Sequence, residues 1–212
     1  MQHTDSAKRL LAFGDIHGCL AELNQLLESV APAADDQLVF LGDYIDRGPD
    51  SAGVIDRLLE LRRQQPDAVF LRGNHEQMLL DFLDNGNPGH FLANGGAETI
   101  ASYRQGDRWP PPPDHLDFFR NLRTLYETEN FIFVHAGLRP GIALEEQDDQ
   151  DLLWIRWEFL ESDADWGKPV VFGHTPRQTP LLGRNRIGLD TGCVYGRQLT
   201  CCDLLSGRIW QA

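Results

Sequence analysis

The first 85 residues contain three successive units in which a short apolar segment runs into a loop rich in Gly and Asp and then into apolar residues at helical spacing. The apolar segments are residues 9–13, 37–41 and 68–71, each of which has the length of a buried strand. Strand–loop–helix units in series are joined by right-handed crossovers, which makes neighbouring strands parallel. The chain is therefore predicted to adopt an α/β fold whose loops gather at the carboxyl ends of the strands, where ligands usually bind.

The rest of the sequence predicts a less regular middle and a β-rich carboxyl part. Residues 94–96 indicate a flexible loop, a helix is expected at residues 115–125, and the five acids within residues 145–151 indicate a solvated loop. Strands are expected at residues 131–134, 170–172, 186–189, 198–203 and 208–210, the last two forming a hairpin around Ser206-Gly207. A length of 212 residues suits one domain that covers residues 1–212.

The charge balance excludes several classes of partner. Nineteen Lys and Arg against 32 Asp and Glu give a formal net charge of −13, which repels nucleic acid and anionic membrane surfaces. The apolar segments are too short to span a bilayer, and the polar residues 1–9 lack the apolar middle of a signal peptide, so a cytoplasmic protein is expected. Without CxxC spacing, four cysteines are expected to be reduced thiols: Cys19, Cys193, Cys201 and Cys202.

Potential metal ligands follow five of the predicted strands. An Asp before Gly is usually a turn residue, and an isolated His is more often structural, but here the donors converge on one edge. Mixed carboxylate, imidazole and amide donors suit manganese, iron or zinc better than calcium. Six donors with a shared carboxylate suit a pair of cations about 3.5 to 4 Å apart, which can hold a phosphoryl group. The six candidates are Asp15, His17, Asp43, Asn74, His135 and His174.

Other polar residues around these donors are suited to phosphate chemistry. Arg47 and Arg156 can each present a bidentate guanidinium to a phosphate, although spacing alone leaves a structural salt bridge equally open for Arg156. His75 could protonate a departing alkoxide, and Asp46 could orient its imidazole. The sequence thus predicts hydrolysis of a phosphate ester without a protein nucleophile.

The ordered motifs Gly14-Asp15-Ile16-His17-Gly18, Gly42-Asp43-Tyr44-Ile45-Asp46-Arg47-Gly48 and Gly73-Asn74-His75-Glu76, followed by His135 and Gly173-His174, resemble a known family. They are similar to the signatures of the phosphoprotein phosphatases within the calcineurin-like metallophosphoesterases. The resemblance is closest to the bacterial and phage branch typified by bacteriophage lambda phosphatase, and it covers nearly the whole chain. Further segments of that branch are matched by Leu153-Trp154-Ile155-Arg156 and Asp190-Thr191-Gly192.

The resemblance implies a role for each position. Asp15 and His17 would bind the first metal, Asp43 would bridge, and the second metal would be bound by Asn74, His135 and His174. His75 would be the general acid with Asp46 behind it, and the phosphate would be held by Arg47 and Arg156. The two cations would be divalent, with manganese expected and iron or zinc as alternatives. The implied fold is a sandwich of two packed mixed β-sheets flanked by helices, in place of the open parallel sheet.

Three functions follow from this resemblance. The first is a metal-dependent protein serine/threonine phosphatase, with tyrosine and small phosphomonoester substrates left open, that acts in one step through a hydroxide bridging two metals. The alternative is a symmetrical dinucleoside tetraphosphate hydrolase, ranked second because such relatives usually lack the intact Asp46-Arg47 pair. An inactive scaffold is ranked last because no ligand is missing.

Cys19 follows His17 by two residues, at the expected start of a helix. A thiol at a helix N-terminus can have a lowered pKa and react with oxidants or alkylating reagents. The alternative is a small buried residue at a tight turn.

Overall fold

The three predicted strand–loop–helix units are present in the computed structural model, which describes residues 8–212. The signal-peptide argument from residues 1–9 therefore falls mostly outside the described residues. Strands β1 to β3 pair in parallel, and each is followed by a helix. Their bounds are β1 Leu10–Phe13, α1 Leu20–Val30, β2 Gln37–Phe40, α2 Ser51–Gln64, β3 Val69–Phe70 and α3 Asn74–Asn85.

The remaining elements alternate short helices with short strands. Two 3₁₀ helices lie at Leu144–Glu146 and Cys193–Tyr195. Within residues 8–212, no helix combines the length and the apolar character needed to cross a membrane. The other elements are α4 Gly89–Ala93, α5 Gly96–Gln105, α6 Pro113–Arg120, β4 Leu125–Glu127, β5 Ile132–Val134, α7 Asp149–Trp154, α8 Trp157–Leu160, β6 Val170–Phe172, β7 Leu181–Leu182, β8 Arg186–Gly188, β9 Thr200–Asp203 and β10 Arg208–Gln211.

The strands form two mixed five-stranded sheets, which confirms the predicted sandwich. The first sheet has the order β10-β9-β1-β2-β3, and the second has the order β4-β5-β6-β8-β7. The open parallel sheet predicted from the first three units is wrong because the β9–β10 hairpin adds to the free edge of β1 in antiparallel orientation. That pairing joins segments about 190 residues apart in the chain, for example Leu11 with Asp203, so local periodicity gives no sign of it.

The alternation of side chains along each strand separates the core into layers. In β1, Leu10 and Ala12 join a cluster that also contains Phe133 and Val171 of the second sheet, so this cluster fills the space between the sheets. The alternate residues of the same strand pack against the helices on its outer face. Because both faces of each central strand are buried, these strands are continuously apolar rather than alternating with polar residues.

Three local predictions differ from the structure. The helix expected at residues 115–125 ends at Arg120, because the Asn121 side chain caps it and the following chain pairs with the first sheet through Arg123. The predicted flexible loop at residues 94–96 leads directly into α5. The acidic segment 145–151 is largely exposed, as expected, but it holds part of a 3₁₀ helix and the start of α7, which Asp148 caps by accepting from the Gln150 amide at 2.7 Å.

Candidate active site

The loops that follow β1, β2, β5 and β6 meet at one end of the two sheets. The amide of His17 donates to the Asp43 carbonyl at 2.8 Å, which joins the first two loops. The amide of His174 donates to Asp15 Oδ2 at 2.8 Å, which joins the first sheet to the second. A side chain at Gly173 would clash, since its Cβ would lie 2.0 Å from Asp15 Oδ1. The sandwich, together with Asn74 after β3, thus brings the ends of five strands, from both sheets, to a single cluster of polar side chains.

Asp43 lies at the centre of this cluster. Its Oδ2 is 3.4 Å from His17 Nε2 and 3.4 Å from His135 Nε2. All three side chains are almost completely buried. Burial alone would raise the pKa of Asp43, but the neighbouring imidazoles of His135 and His75 lower it well below its usual value. In the same pair, Asp43 raises the pKa of His135 to about 10 despite burial. One carboxylate therefore lies between two sets of donors, as the predicted bridging role requires.

Two of the histidines are oriented by backbone carbonyls. His17 Nδ1 lies 2.8 Å from the Ile45 carbonyl, and His135 Nδ1 lies 2.8 Å from the Leu41 carbonyl. Since a carbonyl only accepts, Nδ1 carries a proton in both rings, and Nε2 of each ring faces the cluster. Burial also lowers the pKa of His17 to about 3, which keeps that ring neutral. A neutral imidazole with its lone pair directed inward is the form that binds a metal ion.

The remaining predicted ligands complete the two sets. Asn74 Oδ1 lies 3.0 Å from His135 Nε2 and 3.0 Å from His174 Nδ1. Asp15 Oδ1 is buried and has no hydrogen-bond partner among the residues that the structure describes. Burial, followed by the charge of Asp190, raises the pKa of Asp15 well above its usual value. An unpartnered buried carboxylate oxygen beside imidazole and amide donors fits a cation, which would satisfy the oxygen and favour its charged form. The six predicted donors are thus brought together, and their chemistry fits two divalent ions.

His75 and Asp46 form a buried pair at the edge of the cluster. His75 Nδ1 lies 2.6 Å from Asp46 Oδ2, while His75 Nε2 has no partner in the described part of the chain and lies 3.9 Å from Asp43 Oδ2. Burial lowers the pKa of His75 to about 4. Thr99 donates to the other Asp46 oxygen at 2.6 Å, so the carboxylate is fixed from both sides. The pair has the geometry of an oriented imidazole whose free nitrogen faces the reacting position.

Both predicted phosphate-binding arginines contact candidate metal ligands. Arg47 Nη1 lies 3.0 Å from His17 Nε2, and Arg156 Nε donates to His174 Nε2 at 3.1 Å. Arg156 makes no salt bridge within residues 8–212, so the structural ion pair left open by its spacing is not formed. These groups surround a cleft of about 400 Å³ lined by Asp43, Arg47, Asn74, His75, Asn94, Trp154, Arg156, His174, Pro176 and Tyr195.

The site also concentrates backbone strain. Seven non-glycine residues in the described chain have positive φ, a region that non-glycine residues seldom adopt, and five of them are predicted site residues. Strain of this kind persists where the surrounding structure over-determines the backbone, and it often marks a functional site. The five are His17, Asp43, Asp46, Arg47 and His174.

Sequence reasoning assigned no role to Glu76, which positions the loops of the site. Its carboxylate is fully buried and accepts from the backbone amides of Asp43, Tyr44 and Gly73 at 2.8 to 3.0 Å. Glu76 is the third residue of α3, and this position favours an acceptor for amides at a helix start. That signal explains the contact with Gly73, but the two amides of the β2 loop were not predictable.

Cys19 is 6% exposed and lies at the start of α1, as predicted. Its pKa is lowered, chiefly by a hydrogen bond with Cys193. Its reactivity stays a prediction.

Comparison with known proteins extends these observations. Residues 8–202 match the family model of the calcineurin-like phosphoesterases. The chain is 30% identical to the bis(5'-nucleosyl)-tetraphosphatase PrpE [asymmetrical] of Anoxybacillus flavithermus, over 88% of this chain and 86% of that protein. A crystal structure provisionally named a diadenosine tetraphosphatase superposes with a TM-score of 0.74 at 27% identity, covering 98% of this chain and 94% of its own. The cold-active protein-tyrosine phosphatase of a psychrophilic Shewanella species superposes with a TM-score of 0.70, covering 96% of this chain and 80% of its own; at 16% identity it shares the fold alone.

These findings confirm the resemblance to the calcineurin-like metallophosphoesterases, whereas the narrower assignment to the phage branch stays a prediction. They contradict the predicted protein serine/threonine phosphatase, because the two relatives with sequence identities of 30% and 27% are both named as tetraphosphatases. The error came from using Asp46-Arg47 to discriminate between substrates. In the structure these residues contact His75 and His17 of the candidate site, and such a site does not by itself fix the substrate.

Proposed function

Because the chain belongs to the calcineurin-like phosphoesterase family, we propose that it is a metal-dependent hydrolase of dinucleoside tetraphosphates. One observation carries the proposal: the similarity to a bis(5'-nucleosyl)-tetraphosphatase covers 88% of this chain. The close approach of the six predicted metal donors supports it. The relative is named asymmetrical, so we expect cleavage into a nucleoside triphosphate and a nucleoside monophosphate rather than into two diphosphates.

The donors divide into two sets that share one carboxylate. Asp15 and His17 would hold one divalent cation, Asn74, His135 and His174 would hold the other, and Asp43 would contact both. When bound, the cations supply positive charge for the phosphate oxygens and activate water. Manganese is the expected metal, with iron and zinc as alternatives, because the donors mix imidazole nitrogen with carboxylate and amide oxygen.

Arg47 and Arg156 would bind the phosphate chain. Each already donates to an imidazole of the cluster, at 3.0 Å and 3.1 Å, so a guanidinium borders each set of metal donors. A planar guanidinium can donate two parallel hydrogen bonds to one phosphate, which fixes its orientation. The net charge of −13 does not oppose this substrate, because two bound cations together with Arg47 and Arg156 would make the site locally cationic.

His75 Nε2 would face the leaving oxygen, with Asp46 fixing the ring through Nδ1. Because burial lowers the pKa of His75 to about 4, the ring is mostly neutral at pH 7. In the proposed reaction the leaving group is a nucleotide phosphate, whose second pKa is about 6, rather than the alkoxide of a serine. Such a group departs with little need for a proton. We therefore assign His75 a smaller catalytic contribution than hydrolysis of a serine phosphate would demand.

The direct test compares substrates with defined metals. The purified full chain is assayed with diadenosine tetraphosphate, a phosphopeptide panel and p-nitrophenyl phosphate, each with Mn²⁺, Fe²⁺, Zn²⁺ or Mg²⁺, and the products are separated by chromatography. We expect ATP and AMP from the dinucleotide, at a kcat/KM well above that for the peptides. Faster cleavage of the peptides, or no cleavage of the dinucleotide with any metal, would contradict the proposal. Two ADP would contradict only the position of cleavage.

A matched pair of variants separates metal binding from a general change of charge. Asp15→Asn removes the negative charge of a predicted donor, and Asp35→Asn makes the same change at an exposed position. We expect only Asp15→Asn to reduce bound metal and hydrolysis. A single domain over residues 1–212 and a cytoplasmic location are also proposed, and limited proteolysis and cell fractionation test them.

A further inference from the structure

A second cleft, the side cleft, lies next to the catalytic one. It has a volume of about 1150 Å³ and lies between α3, α4 and α7, where it is lined by Met78, His90 and Trp154 among others. Trp154 lines both clefts. The Asn94 side chain, which lines the catalytic cleft, also donates to the His90 carbonyl at 2.8 Å. The side cleft therefore adjoins the catalytic cleft and is larger than it.

An aromatic pair forms the boundary between the two clefts. The rings of His90 and Trp154 are stacked, with centroids 5.3 Å apart and planes 16° apart. The Trp154 ring also meets the predicted ligand His174 edge-on, at 6.2 Å between centroids. His90 is exposed and Trp154 is half-buried, so the pair offers a flat apolar surface to a ligand that extends from the metal site. Nucleobases stack on such surfaces.

The charges around the side cleft favour an uncharged ligand over a phosphate. Asp81, Asp148 and Asp149 line it and are exposed. Its arginine, Arg72, already donates to Gln77 at 3.0 Å and to a backbone carbonyl at 3.1 Å. The acidic residues repel phosphates, which are attracted instead to the arginines of the catalytic cleft. Carboxylates accept hydrogen bonds, so the side cleft suits a base with exocyclic amino donors.

We propose that the side cleft binds one nucleobase of the substrate, stacked on the His90–Trp154 pair, with an amino group of the base donating to the carboxylates of the cleft. This inference rests on the proposed function, since it assigns a binding site to one end of a dinucleotide.

The first test measures binding without hydrolysis. Affinities of the metal-loaded full chain for AMP and for ribose 5-phosphate, which lacks the base, are compared by calorimetry. We expect AMP to bind about tenfold more tightly, because the stacking of one base on an aromatic side chain contributes roughly that factor to affinity. His90→Ala should remove this difference, and His90→Phe, which keeps a stacking ring, should retain it. Trp157→Ala, at an aromatic residue that is 61% exposed and lines neither cleft, is the matched control.

The second test measures turnover. His90→Ala should raise the KM for diadenosine tetraphosphate about tenfold. It should leave turnover of p-nitrophenyl phosphate unchanged, since that substrate has no base. Equal affinity of the wild-type chain for AMP and ribose 5-phosphate would overturn the proposal, as would an unchanged preference in His90→Ala or an equal loss on both substrates.

The two proposals fail in different ways. If the wild-type chain binds AMP through His90 but does not cleave the dinucleotide, this result supports the base site and refutes the proposed function. If the chain cleaves the dinucleotide but binds AMP and ribose 5-phosphate with equal affinity, this result supports the proposed function and refutes the base site.

Discussion

Replacing Glu76 with Gln tests whether one buried carboxylate holds the loops of the site in place. Oε1 accepts from the amides of Tyr44 at 2.8 Å and Ile45 at 3.4 Å, and Oε2 accepts from those of Asp43 at 3.0 Å and Gly73 at 2.9 Å. Glutamine has nearly the same volume but only one oxygen. Whichever way its amide is turned, two backbone N–H groups face an NH₂ group instead of an acceptor.

The expected cost follows from these contacts. A buried donor left without an acceptor costs about 1 to 3 kcal/mol, so two of them cost about 2 to 6 kcal/mol. Burial raises the pKa of Glu76 to about 7, which means that the charged carboxylate is itself poorly solvated. Removing that charge offsets part of the loss. We therefore expect Glu76→Gln to lower the free energy of unfolding by about 2 to 4 kcal/mol at pH 8, where the wild-type carboxylate is charged.

Chemical denaturation of the metal-free chain at pH 8 gives this free energy, and thermal melting should show a decrease of about 4 to 16 °C for a chain of this size. Glu98→Gln is the matched control, because Glu98 is also the third residue of its helix but is exposed. The reasoning would be refuted if the free energies of unfolding of Glu76→Gln and the control differed by less than about 0.5 kcal/mol, which is the scatter of a surface substitution. Metal affinity should fall with stability, since Glu76 holds the backbone of Asp43.

Other changes test the rest of the site and the fold. His75→Asn should lower kcat on the dinucleotide by only about tenfold, because a phosphate leaves without much protonation; a loss beyond about a thousandfold would show that proton donation is essential. Chelation should abolish hydrolysis and Mn²⁺ should restore it, and activity that survives chelation would exclude the metal site. Asp36→Asn should lower the free energy of unfolding by about 2 to 3 kcal/mol at pH 7, since the buried Asp36 carboxylate binds Arg9 and the Ala33 amide. Although burial alone would raise it, these bonds lower the pKa of Asp36 below its unfolded value. The stabilisation is therefore present above about pH 4 and is lost as the pH falls; a cost that persists at pH 2 would contradict it.

The convergence of the six candidate donors was predictable because each follows a short apolar strand, and parallel strands deliver their carboxyl ends to the same edge. His135 and His174 belong to the second sheet, so their approach to Asn74 depends on how the two sheets pack. The motifs indicated the type of reaction but not the substrate, and both outcomes have the same cause. They contain the residues proposed to bind the phosphate and the metals, and different members of a fold can share such a site.

The surroundings of the phosphate site were not predictable from local patterns. His90 and Trp154 lie on α4 and α7, short helices that residue periodicity did not indicate. Helices of five or six residues carry little periodic signal and form because tertiary contacts stabilise them. The side cleft therefore becomes visible only once α3, α4 and α7 are packed together.

The sequence by itself determined the three strand–loop–helix units and the family, because these depend on residue types at short spacings. The tertiary structure decided the antiparallel edge beside β1, the contact of His174 with Asp15 and the contacts of Glu76 with the β2 loop. Each of these joins residues 30 or more positions apart. Such contacts depend on which surfaces are buried together, and a local pattern of residues does not indicate which surfaces those are.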